Sequence, residues 1–176
     1  PAPVLGRVCQ GVRPVLEAEL GPDWRAQFRD FDEHPAAAAS SGQVHRAVAL
    51  DGRDLAIKVQ YPGIAASIDA DVDNVGSLLR LSSLLPATLD IAPLLSEAKR
   101  QLHEEADYLR EADQMRRYQS LLADNPAFIL PAPVDELSGK NVLAMDFIKG
   151  QPIETLASAP QETRDAVMSA LITLTL

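Results

Sequence analysis

The sequence has few of the residues on which several protein classes depend. One cysteine, Cys9, stands among 176 residues, which excludes an internal disulfide and favours a reducing compartment. One cysteine and three scattered histidines cannot build a zinc site. The net charge is −9, and no stripe of Lys and Arg is interleaved with aromatic residues. Nucleic acid is therefore a poor candidate for a partner.

Long apolar runs are absent as well. No uninterrupted apolar stretch approaches the ~18 residues of a membrane span, and the N-terminus lacks the charged-then-apolar pattern of a secretory signal. We therefore predict a cytoplasmic domain, with any association with a membrane made through parts outside this chain. The chain starts at Pro1 and stops in an apolar segment without a helix-stop signal, so we interpret it as a fragment.

The common glycine-rich phosphate motifs are missing. The sequence contains no G-x-x-x-x-G-K-[S/T], which argues against a P-loop NTPase, and no G-x-G-x-x-G follows a strand. A G-x-S-x-G nucleophile elbow is also absent. At 47% hydrophobic residues, the chain is nevertheless long enough to bury one sizeable core.

The stretch from residue 35 to residue 60 carries the clearest local pattern. Residues 44–50 and 55–60 are rich in β-branched and aliphatic side chains, and the Asp51-Gly52 pair between them predicts a hairpin with a two-residue turn. Alternation along the second strand places Lys58 on the same face as the small Ala56 and opposite the aliphatic face. That arrangement leaves room for a flat ligand beside a positive charge. The alternative is an edge lysine whose stem packs and whose charge reaches water.

The loop before the lysine strand decides between these interpretations. Residues 36–45 read A-A-A-A-S-S-G-Q-V-H, where a protein kinase carries its glycine-rich loop. This run resembles the alanine-rich loop of the AarF/UbiB atypical kinases, a family associated with ubiquinone biosynthesis. Ser41 stands where relatives usually carry an aliphatic residue. Further motifs follow in the family's order between Arg13 and Gly150, including V-Q-Y-P-G-I after the lysine and V-L-A-M-D-F-I-K-G near the end.

A second candidate site lies in a predicted helix from Pro93 to Leu122, which contains E-x-D-Y-x-x-E-A. By itself an acidic run on a helix is a solvated face. On a regular helix Asp107 and Glu111 share a face, whereas Glu105 lies nearly opposite Asp107. We predict that Glu111 pairs with Lys58 and holds it toward phosphates, with Glu105 as the alternative partner. The resemblance implies that the E-x-D pair, Glu105 and Asp107, meets an N-terminal K-x-G-Q segment that this chain lacks.

The resemblance also implies the ligand and its contacts. The ligand is ATP or ADP with Mg²⁺, and the metal ligands lie outside this chain, as do the acceptor-orienting aspartate and the D-F-G aspartate. Lys58 and Glu111 are the predicted catalytic pair, and Met145 takes the gatekeeper position behind the adenine. The residues predicted to contact the nucleotide are Ala37, Ala38, Ala39, Ser40, Ser41, Gly42, Gln43, Val44, Ala56, Lys58, Met145, Asp146, Phe147 and Ile148.

These observations predict an α+β fold, namely a kinase-like N-lobe with an antiparallel sheet and family-specific helices. Residues 1–148 would form this lobe, and residues 149–176 the hinge exit and the first helix of a truncated C-lobe. The predicted function is the nucleotide-binding lobe of an atypical kinase or ATPase that supports quinone-lipid biosynthesis, inactive as a fragment. Its partners would be the nucleotide and either quinone-lipid precursors or a quinone-biosynthesis complex, and the longer protein would lie at the inner membrane. The alternative is a nucleotide-sensing pseudokinase scaffold without phosphoryl transfer.

Overall fold

The computed structural model describes residues 6–39, 41–82 and 89–175. Within these ranges the helices are α1 (Gly6–Leu20), α2 (Ile64–Leu81), α3 (Ala92–Glu105), α4 (Tyr108–Leu121) and α5 (Gln161–Thr175), and the strands are β1 (Phe28–Phe31), β2 (Ala37–Ala39), β3 (Gly42–Ala49), β4 (Asp54–Gln60) and β5 (Val142–Asp146). Short 3-10 helices occupy Trp24–Gln27, Asp135–Leu137 and Ile153–Ser158. Of the described helices, none has both the length and the apolar character that crossing a bilayer requires.

The strands form one antiparallel sheet in the order β1-β3-β4-β5, and β2 pairs with the first residues of β3. The β3–β4 hairpin places Val44 opposite Lys58, and the β4–β5 pair places Leu143 on the other side of Lys58. The lysine therefore stands on a central strand with neighbours on both sides. This architecture is the antiparallel α+β arrangement that the sequence predicts.

The main hydrophobic core lies on one face of the sheet. Leu55, Ile57 and Val59 of β4 are completely buried there, together with Val12 and Leu16 of α1. Trp24, Phe28 and Phe31 add edge-to-face aromatic contacts to the same core. The predicted alternation along β4 is thus present, because its odd-numbered aliphatic residues all face this core.

The opposite face of the sheet carries Lys58 and is covered in part by α4. Tyr108 and Ala112 of α4 pack against Leu143 of β5, and Met115 and Met145 border this small cluster. The start of α4 is therefore held against the same strands that carry Lys58. This second face is where the candidate site forms.

The sequence also predicts a short helix from Pro14 to Leu20, a strand over residues 131–137 and a helix over residues 68–85, and several of these local predictions differ from the structure. Helix α1 begins at Gly6 and not at Pro14, which lies inside it; burial of α1 against the sheet outweighs the hydrogen bond that the proline removes. Four residues, 50–53, separate β3 from β4 where the sequence predicts a two-residue turn; Gly52 adopts φ 92°, and the Ala49 N–H donates to the Arg53 carbonyl (2.9 Å). Residues 131–137 form no regular strand, since prolines there cannot donate to a ladder. The predicted end of α2 near Leu85 lies outside the described residues.

Candidate functional site

Lys58 and Glu111 form the centre of the site. The Lys58 Nζ lies 2.8 Å from Oε1 and 2.7 Å from Oε2 of Glu111, so the ammonium group donates to both carboxylate oxygens. The side chains are 18% and 36% exposed, respectively, and the pair is therefore only partly screened by water. Of the two carboxylates weighed from the sequence, Glu111 is the one that contacts Lys58. The catalytic roles assigned to the two residues stay predictions.

Tyr108 lies beneath this ion pair. The Lys58 Nζ stands 4.6 Å from the centre of the Tyr108 ring, within the range of a cation–π contact. The phenol oxygen lies 3.1 Å from the Ser41 Oγ. Burial raises the pKa of Tyr108, opposed by the Ser41 hydrogen bond and reinforced by the negative charge of Glu111. The phenol therefore keeps its proton at neutral pH.

The alanine-rich loop folds as a hairpin against β4. Ala37, Ala38 and Ala39 form β2, paired in register with Val44, Gln43 and Gly42 of β3. Ser40, another predicted contact residue, lies outside the described residues. At the tip, the Ser41 carbonyl accepts a hydrogen bond from the Tyr61 N–H (3.0 Å). The loop thus places Ser41 beside the lysine strand.

Gly42 allows this close approach. A Cβ added at Gly42 would stand 2.1 Å from the Val59 carbonyl oxygen and 3.0 Å from the Gln60 Cα. Non-bonded carbon atoms settle at about 3.5–4.0 Å, so no side chain fits there without moving the backbone. Glycine at this position lets the loop tip lie directly on β4.

The E-x-D motif lies at a junction between two helices and not on one continuous helix. Asp107 is the N-cap of α4, with φ −105° and ψ 96°, and its Oδ1 accepts hydrogen bonds from the N–H groups of Leu109 (3.1 Å) and Arg110 (3.2 Å). The carbonyl of the buried Ala106 accepts from the Gln60 Nε2 (2.9 Å). The prediction of an unbroken helix was wrong, and the Asp107 carboxylate caps the N-terminus of α4.

A cleft of about 520 Å³ opens between the loop tip, the lysine and the two helices. It is lined by Ser41, Lys58, Gln101, Glu104, Glu105, Arg110, Glu111 and Gln114. Glu104 is paired with Arg100 and with Arg110, whose Nη1 lies 2.8 Å away. Glu105 is exposed, and its carboxylate makes no hydrogen bond or ion pair with a described residue. The helix break therefore brings Glu105 into the cleft beside Lys58, while Asp107 stays outside.

The predicted adenine-contacting residues continue the same sheet face. Ala56 lies opposite Met145 across β4 and β5. The Asp146 N–H donates to the Ala132 carbonyl (3.0 Å), and the Phe147 N–H donates to the Asp54 carbonyl (3.0 Å). A contact from Asp146 to a purine would therefore use its carbonyl group. Ile148 follows the strand and is 40% exposed.

Neither Ala56 nor the segment from Met145 to Ile148 lines the cleft. The structure thus brings together the lysine, the glutamate and the loop tip, with the predicted adenine edge farther along the sheet. Within residues 6–39, 41–82 and 89–175, no three His, Cys, Asp or Glu side chains converge as a metal site.

Three residues position the site through contacts that were not predicted from the sequence, namely Tyr108 with Ser41, Gln60 with Ala106, and Asp107 as the N-cap of α4. A signal existed for Asp107, because aspartate directly before a helical segment is a preferred N-cap. No local pattern distinguishes Tyr108 or Gln60, since their partners lie 67 and 46 residues away in the chain.

The chain matches a known protein family over nearly its whole length. The ABC1 atypical kinase-like domain matches residues 8–176. The chain belongs to this family. Its antiparallel sheet and helices are those of a kinase-like N-lobe, and Lys58 lies on the central strand β4 of that sheet.

Relatives of this ABC1 domain cover nearly all of the chain. It is 42% identical to the atypical kinase coq-8, mitochondrial, of Caenorhabditis elegans over 94% of the chain, which is 22% of that protein. It is 39% identical to the atypical kinase COQ8, mitochondrial, of Saccharomyces cerevisiae over 92% of the chain and 32% of that protein. The chain thus spans about a fifth to a third of the length of these relatives.

A solved structure shows the same fold. This ABC1 domain matches the Mycobacterium tuberculosis protein Rv3197, determined as a complex with erythromycin, with a TM-score of 0.76 and 31% sequence identity. The match covers 93% of this chain and 43% of the Rv3197 chain.

Proposed function

We propose that this ABC1 domain is the nucleotide-binding lobe of an atypical kinase or ATPase. The observation that carries the proposal is the Lys58–Glu111 ion pair beneath the tip of the alanine-rich loop. In kinase-like enzymes, a strand lysine held by a helix glutamate contacts the nucleotide phosphates. Here the same two residue types meet at 2.7–2.8 Å on the same kinds of element.

The cleft beside Lys58 would take the phosphate end of an adenine nucleotide, and the predicted adenine edge lies farther along the sheet. The cleft beside Lys58 has about 520 Å³, within the ~300–1,000 Å³ typical of small-molecule sites. Lys58 would hold the phosphates, Glu111 would orient Lys58, and the loop from Ala37 to Val44 would cover them. The sheet face from Ala56 to Met145 would take the adenine, and Asp146 to Ile148 its polar edge.

The nucleotide, when bound with Mg²⁺, supplies the phosphoryl group and the cation that balances its charge. Among the described residues that line the cleft, Lys58 and Arg110 carry the positive charges, and each pairs with a glutamate, Glu111 and Glu104 respectively. We infer that the metal ligands and the acceptor-orienting aspartate belong to later segments of a longer protein. The domain alone would then bind nucleotide weakly and hydrolyse none. Under this proposal residues 1–148 are the N-lobe and residues 149–176 begin the second lobe.

The biological setting follows from the relatives. Those from worm and yeast carry COQ8 names and are described as mitochondrial, and the family resemblance associates such kinases with ubiquinone. We assign this domain to quinone-lipid biosynthesis, with quinone-lipid precursors or a quinone-biosynthesis complex as partners. The predicted cytoplasmic location, with the longer protein at the inner membrane, belongs to the same proposal.

The decisive experiment measures nucleotide affinity in the full-length polypeptide. Lys58→Met should weaken binding of Mg²⁺·ADP about ten- to a hundredfold by calorimetry, because it removes a charged hydrogen-bond donor. Lys99→Met is the matched control, since Lys99 also holds a carboxylate, Asp73, at 2.8 Å but lies outside the cleft. Equal affinity of Lys58→Met and wild type, or no nucleotide binding by wild type, would contradict the proposal.

A turnover measurement separates the enzyme from the alternative scaffold. An atypical kinase or ATPase should release ADP from Mg²⁺·ATP, and Lys58→Met should abolish that release. A nucleotide-sensing pseudokinase should bind the nucleotide and change its thermal stability without product formation.

A further inference from the structure

Tyr108 contacts three separate parts of the lobe. Its backbone N–H donates to the Lys140 carbonyl (3.2 Å) in the turn before β5. Its ring faces the Lys58 ammonium at 4.6 Å, and its hydroxyl meets the Ser41 hydroxyl at 3.1 Å. The side chain is completely buried, so these contacts occur in one fixed conformation.

We propose that Tyr108 is a positioning residue that links the tip of the alanine-rich loop to the Lys58–Glu111 pair. The inference rests on the proposed function, because it assigns the link to nucleotide binding at the same cleft. The link means that one side chain holds both the loop tip and the lysine. The hydroxyl of Tyr108 holds the loop, and its ring holds the lysine.

The helix geometry makes this link cooperative. Tyr108 and Glu111 are three residues apart on α4 and therefore lie on neighbouring positions of one helix face. A displacement of α4 away from β4 would separate Glu111 from Lys58 and the phenol from Ser41 in the same movement. The contacts with Lys140 and Leu143 fix the start of α4 against β5. They thereby hold Glu111 beside Lys58 and the phenol beside Ser41.

Among the described residues, the loop tip is otherwise held by backbone contacts. The Ser41 carbonyl accepts from the Tyr61 N–H, Gly42 pairs with Gln60 of β4, and three β2–β3 residue pairs flank the tip. The Ser41–Tyr108 bond is the contact that joins the tip to α4. Without it, the tip stays attached to β4 but loses its connection with the helix that carries Glu111.

The experiment compares Tyr108→Phe, Ser41→Ala and the double variant in the full-length polypeptide. Tyr108→Phe keeps the ring under Lys58 and removes only the hydroxyl, so the lobe should stay folded. Tyr118→Phe is the matched control, because Tyr118 lies on the same helix with 52% of its surface exposed.

The first readout is hydrogen exchange of residues 41–44 without nucleotide. Each single variant should exchange about fivefold faster there, the effect of one lost neutral hydrogen bond. The double variant should exchange no faster than either single variant, because all three lack the same bond. Tyr118→Phe should match wild type.

The second readout is the affinity for Mg²⁺·ADP. Tyr108→Phe and Ser41→Ala should each weaken binding about fivefold and non-additively. Unchanged exchange at residues 41–44 in Tyr108→Phe, or additive effects in the double variant, would overturn the inference. Absence of nucleotide binding by wild type would instead overturn the proposed function, while the exchange result would still test the link itself.

Discussion

Gly42 is the point at which the alanine-rich loop lies closest to the lysine strand, so Gly42→Ala tests how the loop tip is held. The added Cβ would stand 2.1 Å from the Val59 carbonyl oxygen, 2.9 Å from its carbon and 3.0 Å from the Gln60 Cα. All three are backbone atoms of β4. Rotation of a side chain therefore cannot relieve the contact, and the strands themselves must separate.

The magnitude follows from that separation. The shortest contact falls more than about 1 Å below ordinary van der Waals separation, which is enough to break the pairing of Gly42 with Gln60 at the end of the hairpin. Overpacking of this kind costs about 1–3 kcal/mol, and each ladder hydrogen bond lost adds about 1 kcal/mol. We expect Gly42→Ala to lower the free energy of unfolding by about 2–4 kcal/mol and the Tm by about 4–16 °C.

Two other glycines provide matched controls for the same substitution. Gly11 lies within α1 with no atom within 4 Å of an added Cβ, so Gly11→Ala should stabilise by up to about 1 kcal/mol through helix propensity. At Gly76 of α2 the added Cβ meets only the Leu95 side chain, at 2.5 Å. Gly76→Ala should therefore fall between the other two, because the leucine side chain can move.

Thermal and denaturant unfolding of the three variants would measure this order. Equal stability of Gly42→Ala and wild type would refute the close approach of the loop to β4. A fall at Gly11 as large as that at Gly42 would show that the effect comes from the alanine and not from its surroundings.

Two further predictions concern capping and pH. Asp107→Ala should lower the free energy of unfolding by about 1 kcal/mol, whereas Asp107→Ser should keep most of the capping stabilisation, because a hydroxyl also caps a helix. Chemical denaturation measures both variants, with Asp113→Ala as control. An equal loss in the two Asp107 variants would show that the carboxylate does more than cap the helix. Burial lowers the pKa of His45 below its ordinary value of 6.5, although the Asp32 carbonyl, 2.8 Å from Nδ1, opposes the shift. The unfolded chain therefore binds a proton at higher pH than the folded chain, and stability should fall below pH ~6.5 with a slope of at most ~1.4 kcal/mol per pH unit. His45→Asn, compared with wild type across this pH range, should lack that part of the slope, and an unchanged curve would contradict it.

The surroundings of the His45 ring explain why its protonation is unfavourable, and the Nε2 atom is the main reason. His45 is completely buried, and its Nδ1 faces the Asp32 carbonyl, so Nδ1 carries the proton of the neutral ring. The Nε2 of His45 has no hydrogen-bond partner among the described residues. Protonation would place a charge and an unpaired N–H in the core beside Phe31, whose ring stacks on the imidazole at 5.2 Å.

The sequence predicts the hairpin well and the helices less well, for a physical reason. Along β4, burial alternates with a period of two, and that period is visible in the residues themselves. The motif order also locates Lys58 and Glu111 on the correct elements. The alternation is visible in neighbouring residues, and the two site residues follow from the resemblance of the motifs to those of the AarF/UbiB kinases.

The break near residue 106 has a much weaker local signal, the preference of aspartate for the N-cap position at Asp107. Residues 93–122 contain no internal proline or glycine, and their apolar spacing continues through the junction. What ends α3 is tertiary structure, because Ala106 is buried and its carbonyl bonds to Gln60 of β4. Helix propensity and apolar spacing depend on residues close together in the chain. They therefore cannot predict a hydrogen bond between Gln60 and Ala106, which are 46 residues apart.

The junction also gives the E-x-D-Y run a single physical interpretation. Four contacts fix the residues around it: Gln60 holds the Ala106 carbonyl, Asp107 caps α4, and Tyr108 bonds to Lys140 and packs on Leu143. Each of them fixes the start of the helix whose first turn carries Glu111. A shift of α4 by one residue would turn Glu111 by about 100° and remove it from Lys58. Residues 106–108 of this run therefore fix the position of Glu111 relative to Lys58. Glu105 lines the cleft, where its carboxylate can meet another group.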